Sequence, residues 1–185
     1  MYAAGFFPMD DPEDRFGPLP FYAAEERALF ELDPRARERL RRRVRRSLRA
    51  GAGWTLGADT AFDVVLDACA RPRTPGDGVW ITPRLATLYR DLHAAGHAHS
   101  FEVHAEGHVA AGMIAVLIGR AAMLESMAHW VSHAGNVLVA GTLDHLADRG
   151  FHFADVQLPT QHTLRLGARL ISRTEYEHRL RRALS

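Results

Sequence analysis

Asp155 and Gln157 stand in an otherwise largely apolar run, Phe151-His152-Phe153-Ala154-Asp155-Val156-Gln157-Leu158. Alternate residues of a strand share a face, so a strand over 151–158 lines up Phe151, Phe153, Asp155 and Gln157. Ala154, Val156 and Leu158 then point the other way. A carboxylate and an amide on such a stripe can hold an amine and a carbonyl in a partly apolar cleft. They can equally cap backbone groups at the end of the strand. Met123, Glu125 and Met127 form a second stripe of the same kind, with Ser126 between the last two. A buried carboxylate is costly unless paired, so Glu125 needs either a salt bridge to one of the many arginines or a use for its charge.

Other chemistries find little support. His129 and His133 are spaced i, i+4, but no glutamate lies between them as in a metalloprotease helix, and no third ligand is evident. His97, His99, His104 and His108 are scattered over a turn and strands. The lone Cys69 excludes an internal disulfide and a multi-cysteine metal site, and fits a reducing compartment. No phosphate-binding loop or dinucleotide fingerprint is present, and Ser126 and Ser132 lack the nucleophile-elbow context.

The elements that must position Glu125, Asp155 and Gln157 follow from periodicity and punctuation. Strands are expected at 53–59, 100–103, 109–118, 121–127 and 151–158. Helices are expected at 61–70, 82–93 and 134–149, with Thr174 capping a final one. Hairpin-linked strands crossed by helices predict an α/β (α+β) domain with a mixed sheet. Residues 1–33 show no sustained period and read as an irregular arm, packing Phe6, Phe7, Phe16, Phe21 and Tyr22 onto the domain formed by 34–185.

Charge is distributed unevenly. Net charge is +1, yet the first 33 residues carry eight acidic groups against Arg15 and Arg27. Asp33-Pro34 opens a helix to Gly51 in which Ala36, Leu40, Val44 and Leu48 recur every four residues. Nine arginines lie between Arg35 and Arg49, interrupted by one acid, Glu38. Such a helix is either a solvated amphipathic face or one that meets nucleic-acid phosphates, with Arg42, Arg43 and Arg46 the natural contacts. No apolar run is long enough to span a bilayer, and the start of the chain lacks a signal peptide's pattern. A cytoplasmic monomer is expected.

An ordered series of short motifs adds to this reading. Gly76-Asp77-Gly78-Val79-Trp80-Ile81-Thr82 is followed by Ala98-His99-Ser100, Glu125-Ser126-Met127, Asp155-Val156-Gln157, and His162 ahead of Leu166-Gly167-Ala168. Ile171-Ser172-Arg173 precedes the last helix, and Tyr2 to Pro8 reads YAAGFFP. Together they resemble the leucyl/phenylalanyl-tRNA–protein transferase family over nearly the whole chain. The resemblance implies an acetyltransferase-like (GNAT) fold with a largely antiparallel sheet, working on aminoacyl-tRNA and needing no cofactor or metal. It implies transfer of Leu or Phe to the α-amino group of a protein, a step that marks proteins for N-degron recognition.

By the same resemblance Asp155 and Gln157 hold the attacking amine and the reacting ester, with Asp155 a candidate proton acceptor. Glu125 lies near the acceptor, and Trp80 stacks on the terminal adenosine. Met127, with Met123 and Ser126, lines the donor pocket. The chain departs from the family pattern at Met9, where a second tryptophan is expected, and at Leu124, Ala128 and Asn136. These departures keep open aminoacyl-tRNA-dependent acylation of a small molecule or short peptide, and a tRNA-binding module without catalysis.

Overall fold

The computed structural model describes residues 1–13, 17–72 and 78–185. Arg15, Phe16, Gly76 and Asp77, named above, lie outside the described residues. A short 3-10 turn at Tyr2–Ala4 leads into β1 (Phe7–Pro8) and β2 (Phe21–Tyr22), which pair with each other. The main run is β3 (Glu26–Glu31), α1 (Pro34–Arg43), α2 (Arg45–Ala50), β4 (Thr55–Ala58), α3 (Phe62–Cys69) and α4 (Pro83–Ala94). It continues with β5 (Ala98–Ala105), β6 (His108–Ile118), β7 (Ala121–His129), α5 (Ala134–Asp148) and β8 (Phe153–Asp155). It ends with α6 (Gln161–Leu166), β9 (Arg169–Ser172) and α7 (Arg173–Leu184).

Seven strands form one mixed sheet in the order β4-β5-β6-β7-β8-β3-β9. Every neighbouring pair is antiparallel except β7 and β8. Their connection is a crossover through α5, as parallel strands require. The β7–β8 pairing runs only from Ala121–Phe153 to Met123–Asp155. Beyond it β7 continues to His129 while β8 stops, so the sheet is split at that end.

Each face of the sheet carries its own core. On one face Leu40, Val44, Leu138, Leu143 and Leu146 of α1, its junction with α2, and α5 pack on Phe101, Met113 and Leu124. On the other, Val65, Leu66, Leu85, Tyr89, Tyr176 and Leu180 from α3, α4 and α7 pack on Ile114, Val116, Met123 and Phe153. Tyr2 and Phe7 join this second core, so the start of the chain is docked there.

Several expectations need correction. The arm over 1–33 is not irregular throughout, because β3 lies between β8 and β9 inside the sheet. Its Arg27, Ala28, Leu29 and Phe30 are all buried, and a strand covered on both faces shows no alternation to read. The strand expected at 151–158 is only Phe153–Asp155. Phe151 packs toward the first core and Phe153 in the second, so they do not form one stripe. The arginine helix is interrupted at Val44 (φ −98°), and the last helix is capped by Ser172, not Thr174. α6 and β9 were not anticipated.

Candidate active site

The ends of β7 and β8 bring together residues far apart in sequence. Asp155 closes β8, opposite Met123 of β7 and Leu29 of β3. Its carboxylate is fully buried and densely bonded. Oδ2 accepts from Arg27 Nη2 and from the Tyr176 hydroxyl at 2.8 Å. Oδ1 accepts from the Gln157 backbone N–H at 2.8 Å and from Arg27 Nε at 3.4 Å. Arg27 is itself buried between the Phe7 and Tyr176 rings, 4.8 and 4.2 Å from their centroids. Its Nη1 donates to the Gly5 carbonyl at 2.8 Å, so one guanidinium ties the start of the chain, β3 and β8 to a single carboxylate.

Glu125 owes its position to a bulge. Across β6 and β7, Ile114 pairs with Ser126 and Ala115 with Leu124, leaving Glu125 as the extra residue. A bulge bends the strand and re-aims its side chains. Met123 therefore lies in the second core and Met127 packs toward the first, contrary to the single stripe expected for Met123, Glu125 and Met127. Glu125 stays on the Met123 side, where Tyr89 Oη donates to its Oε2 at 2.9 Å. No arginine forms a salt bridge with it among the described residues, so the ordinary explanation for a buried carboxylate fails here. Burial pushes its carboxyl up to about 8, with nearby Asp155 also raising it and the Tyr89 hydrogen bond opposing.

Gln157 joins the two carboxyl groups. It is not a strand residue, and its backbone takes the left-handed conformation at φ 55°. The Asp155 carboxylate accepts its N–H, and Ala28 N–H donates to its carbonyl at 2.9 Å. This turn directs the side chain back to Glu125, 3.4 Å away. The other end of the amide faces two carbonyl oxygens, Leu124 at 3.2 Å and Val156 at 3.1 Å. Carbonyls can only accept, so the NH₂ belongs on that side and the amide oxygen faces Glu125.

Tyr2 completes the cluster. Its ring is buried, and its hydroxyl lies near Tyr89 and Glu125 yet makes no hydrogen bond of good geometry among the described residues. Burial and the neighbouring Glu125 raise its pKa. Sequence reading missed Arg27, Tyr2, Tyr89 and Tyr176, because a buried arginine and core tyrosines carry no local signal.

Trp80 is half-buried and packs against the second core, on the site's side of the sheet. Just beyond it, Thr82 Oγ1 and Arg84 both bond Asp10, which brings the Met9 and Trp80 segments together. Met123 lies beneath the site as a core residue opposite Asp155, and Ser126 is part-buried beside Glu125. Leu124 is buried in the first core and does not intrude on Glu125's side. Asn136 donates to Ser47 Oγ at 3.1 Å, and His133 Nδ1 lies 3.2 Å from the same oxygen, tying α2 to the start of α5. A cavity of about 170 Å³ on the opposite face is lined by Trp54, Val137 and Asp144, and by none of the site residues.

Arg42, Arg43 and Arg46 are exposed along α1 and α2. Arg42 is paired with Glu38 at 2.8 Å, whereas Arg43 and Arg46 have no carboxylate partner among the described residues. The Arg43 guanidinium lies against Gly167, just after α6, where a side chain would collide with it. α1 and α2 lie on the face opposite the second core, but the Ser47 contacts bring α2 to the end of the sheet that is split.

Comparison with known proteins agrees with this architecture. The model of the leucyl/phenylalanyl-tRNA protein transferase family matches residues 32–181. The chain belongs to this family. A leucyl/phenylalanyl-tRNA–protein transferase of Xanthomonas euvesicatoria pv. vesicatoria is 37% identical over 185 residues, covering 100% of this chain and 71% of that protein. One from Salinibacter ruber is 40% identical, covering 99% of this chain and 76% of that protein. Among solved structures, FemX aligns with TM-score 0.60 at 12% identity, over 92% of this chain and 65% of that one. L-PGS from Bacillus licheniformis aligns with TM-score 0.51 at 16% identity, over 84% and 55% respectively. These two likenesses concern the fold alone. No helix among the described residues is long and apolar enough to cross a membrane.

Proposed function

We propose that this transferase moves an amino acid, leucine or phenylalanine, from aminoacyl-tRNA to the N-terminal α-amino group of a protein in the cytoplasm. The observation that carries the reading is the meeting of Glu125, Asp155 and Gln157 where β7 and β8 part, in a chain matched by the family model. An aminoacyl ester is already activated, so the site's main task is alignment, for which effective molarities reach ~10⁵ M or more. In this reading the acceptor amine lies at Glu125 and Gln157, on the Tyr89 side. Met127, across the split, takes the donor's side chain, with Met123 and Ser126 flanking Glu125. Trp80 stacks on the terminal adenosine, and Arg42, Arg43 and Arg46 meet the tRNA backbone. We extend the transferase unit expected at 34–185 to include the start of the chain, because Arg27 and Tyr2 both belong to the site's frame.

The test is direct. The protein is incubated with labelled leucyl-, phenylalanyl- and pooled aminoacyl-tRNAs, peptides beginning with Arg or Lys, and a set of free small amines. Label on the peptide's α-amino group from leucyl- or phenylalanyl-tRNA is expected. Label only on small amines would point to the biosynthetic alternative, and none at all to a binding module.

A further inference from the structure

Asp155 is the obvious candidate to take the amine's proton, but its surroundings leave little room for that task. Both oxygens are already engaged by Arg27, Tyr176 and the Gln157 N–H, and none of its surface is exposed. Protonating it would break a buried ion pair, which is strongly disfavoured. Glu125 is placed differently. The Tyr89 hydroxyl bonds it, the Tyr2 hydroxyl lies close by, and the Gln157 amide turns its oxygen toward it. An amide oxygen beside a carboxylate is repelled, whereas beside a carboxylic acid it has a donor.

We infer that Glu125 is the proton carrier of the transfer, and that Asp155, clamped by Arg27 and Tyr176, is a positioning residue that fixes Gln157. The inference rests on the transfer reading above and deepens it at the same site. The neutral amine attacks the ester carbonyl, and a nitrogen–carbon bond forms. As the carbon–oxygen bond to the terminal ribose breaks, Glu125 gives its proton to the departing oxygen and receives one from the nitrogen. The nitrogen loses one proton, the ribose oxygen gains one, and the carboxyl ends as it began. Tyr89 stays bonded to Oε2 throughout, leaving Oε1 to make the exchange.

The surroundings support this assignment. The groups facing Glu125 are Tyr89 from α4, Tyr2, Asp155 and Gln157 at the end of β8, and Arg27 of β3. Both tyrosines are pushed upward by burial and then by Glu125, so neither titrates below the alkaline range. The Glu125 carboxyl, pushed up to about 8 by burial, nearly matches an α-amino group at about 8. Proton exchange between matched groups is close to balanced, the condition in which general acid–base catalysis works best.

One proton must be shared between amine and carboxyl in the reactive complex, and that sets the pH dependence. Below about 8 the rate rises with pH as the amine loses its proton. Above about 8 it falls tenfold per unit as Glu125 ionises. A site using Asp155 as base would instead plateau above 8. The experiment measures kcat/KM from pH 6 to 9.5, corrected for spontaneous ester hydrolysis, with two peptide acceptors differing in α-amino pKa. Lowering the acceptor's pKa should shift the rising limb alone, leaving the falling limb near 8. In Glu125→Gln the rate should drop by at least ~10²-fold, and the falling limb should vanish. Asp155→Asn should be slower but keep that limb.

A plateau in the native enzyme, or a falling limb that survives in Glu125→Gln, overturns the inference. Carbon-13 NMR of glutamate-labelled free protein provides a second measurement, with Glu125→Gln identifying the resonance. Titration near 8 is expected, and titration between 4 and 5 rejects the assignment whatever the transfer assay shows. If no donor supports transfer by the native protein, the functional reading fails instead, and the carbon-13 titration still decides the state of Glu125.

Discussion

At the residue scale, the site is a set of buried polar groups whose hydrogen bonds define their roles. The Tyr2 hydroxyl is buried near Tyr89 and Glu125 with no hydrogen bond of good geometry among the described residues, an arrangement that costs ~1–3 kcal/mol when nothing fills it. Tyr2→Phe should therefore leave thermal stability unchanged or raise it while slowing transfer, since the hydroxyl stands beside Glu125 where it can turn to a substrate. Transfer at the native rate would return Tyr2 to a packing role. Asp155→Asn should act on stability as well as rate, because it strands the buried Arg27 charge. A loss of about 3–5 kcal/mol is expected, lowering the melting temperature by roughly 10 °C. Calorimetry of Asp155→Asn and of the Arg27→Met, Asp155→Leu pair checks this, the pair being closer to native because no lone charge remains buried. The sequence showed Asp155, Gln157 and Glu125 as polar side chains among apolar neighbours. It did not show their partners, because Arg27 lies 128 residues from Asp155 and nothing local marks it as buried.

The elements explain why some of the site was legible and some was not. The β5–β6–β7 meander and α5 announce themselves through long apolar runs and turn glycines, so the position of Glu125 on a strand could be read. The bulge at Glu125 could not, since one unpaired residue leaves the apolar pattern intact but reverses the face of all that follows. Met127 therefore lies on the face opposite the one its spacing predicts. β3 was missed because burial on both faces erases alternation, and β8 was overextended because Gln157 leaves the strand in a left-handed turn. Gly112 shows how closely the layers meet: a Cβ there would stand 2.2 Å from Val65 Cγ2 of α3. Gly112→Ala should cost about 1–3 kcal/mol by overpacking. Adding Val65→Ala should recover part of that loss, giving a favourable coupling between the two sites. Strictly additive losses in denaturant unfolding would mean that α3 shifts freely on the sheet.

On the scale of the whole molecule, nine of the chain's arginines are gathered on α1 and α2. Arg37 and Arg41 are held by Asp144 of α5, and Arg42 by Glu38, so these arginines are partly neutralised within the protein. Arg43 and Arg46 are exposed with no carboxylate partner among the described residues, and the Ser47 contacts set their helix near the end where the sheet is split. A tRNA whose 3′ end enters that split brings its acceptor strand toward this rim, where phosphate contacts release counterions. Each such contact lowers the slope of log affinity against log salt by about 0.7–0.9, depending on whether the strand is single or paired. Arg43→Gln and Arg46→Gln should therefore each weaken tRNA binding without regard to sequence and flatten that slope by nearly one. Arg42→Gln should flatten it less, because its charge is already shared with Glu38, and Glu38→Gln should strengthen binding by freeing Arg42. Filter binding of one tRNA from 50 to 300 mM salt reads the four single variants and the Arg43, Arg46 double variant on the same scale. Equal slopes for the native protein and the Arg43, Arg46 double variant would place the acceptor strand elsewhere and leave α1 and α2 as a solvated face.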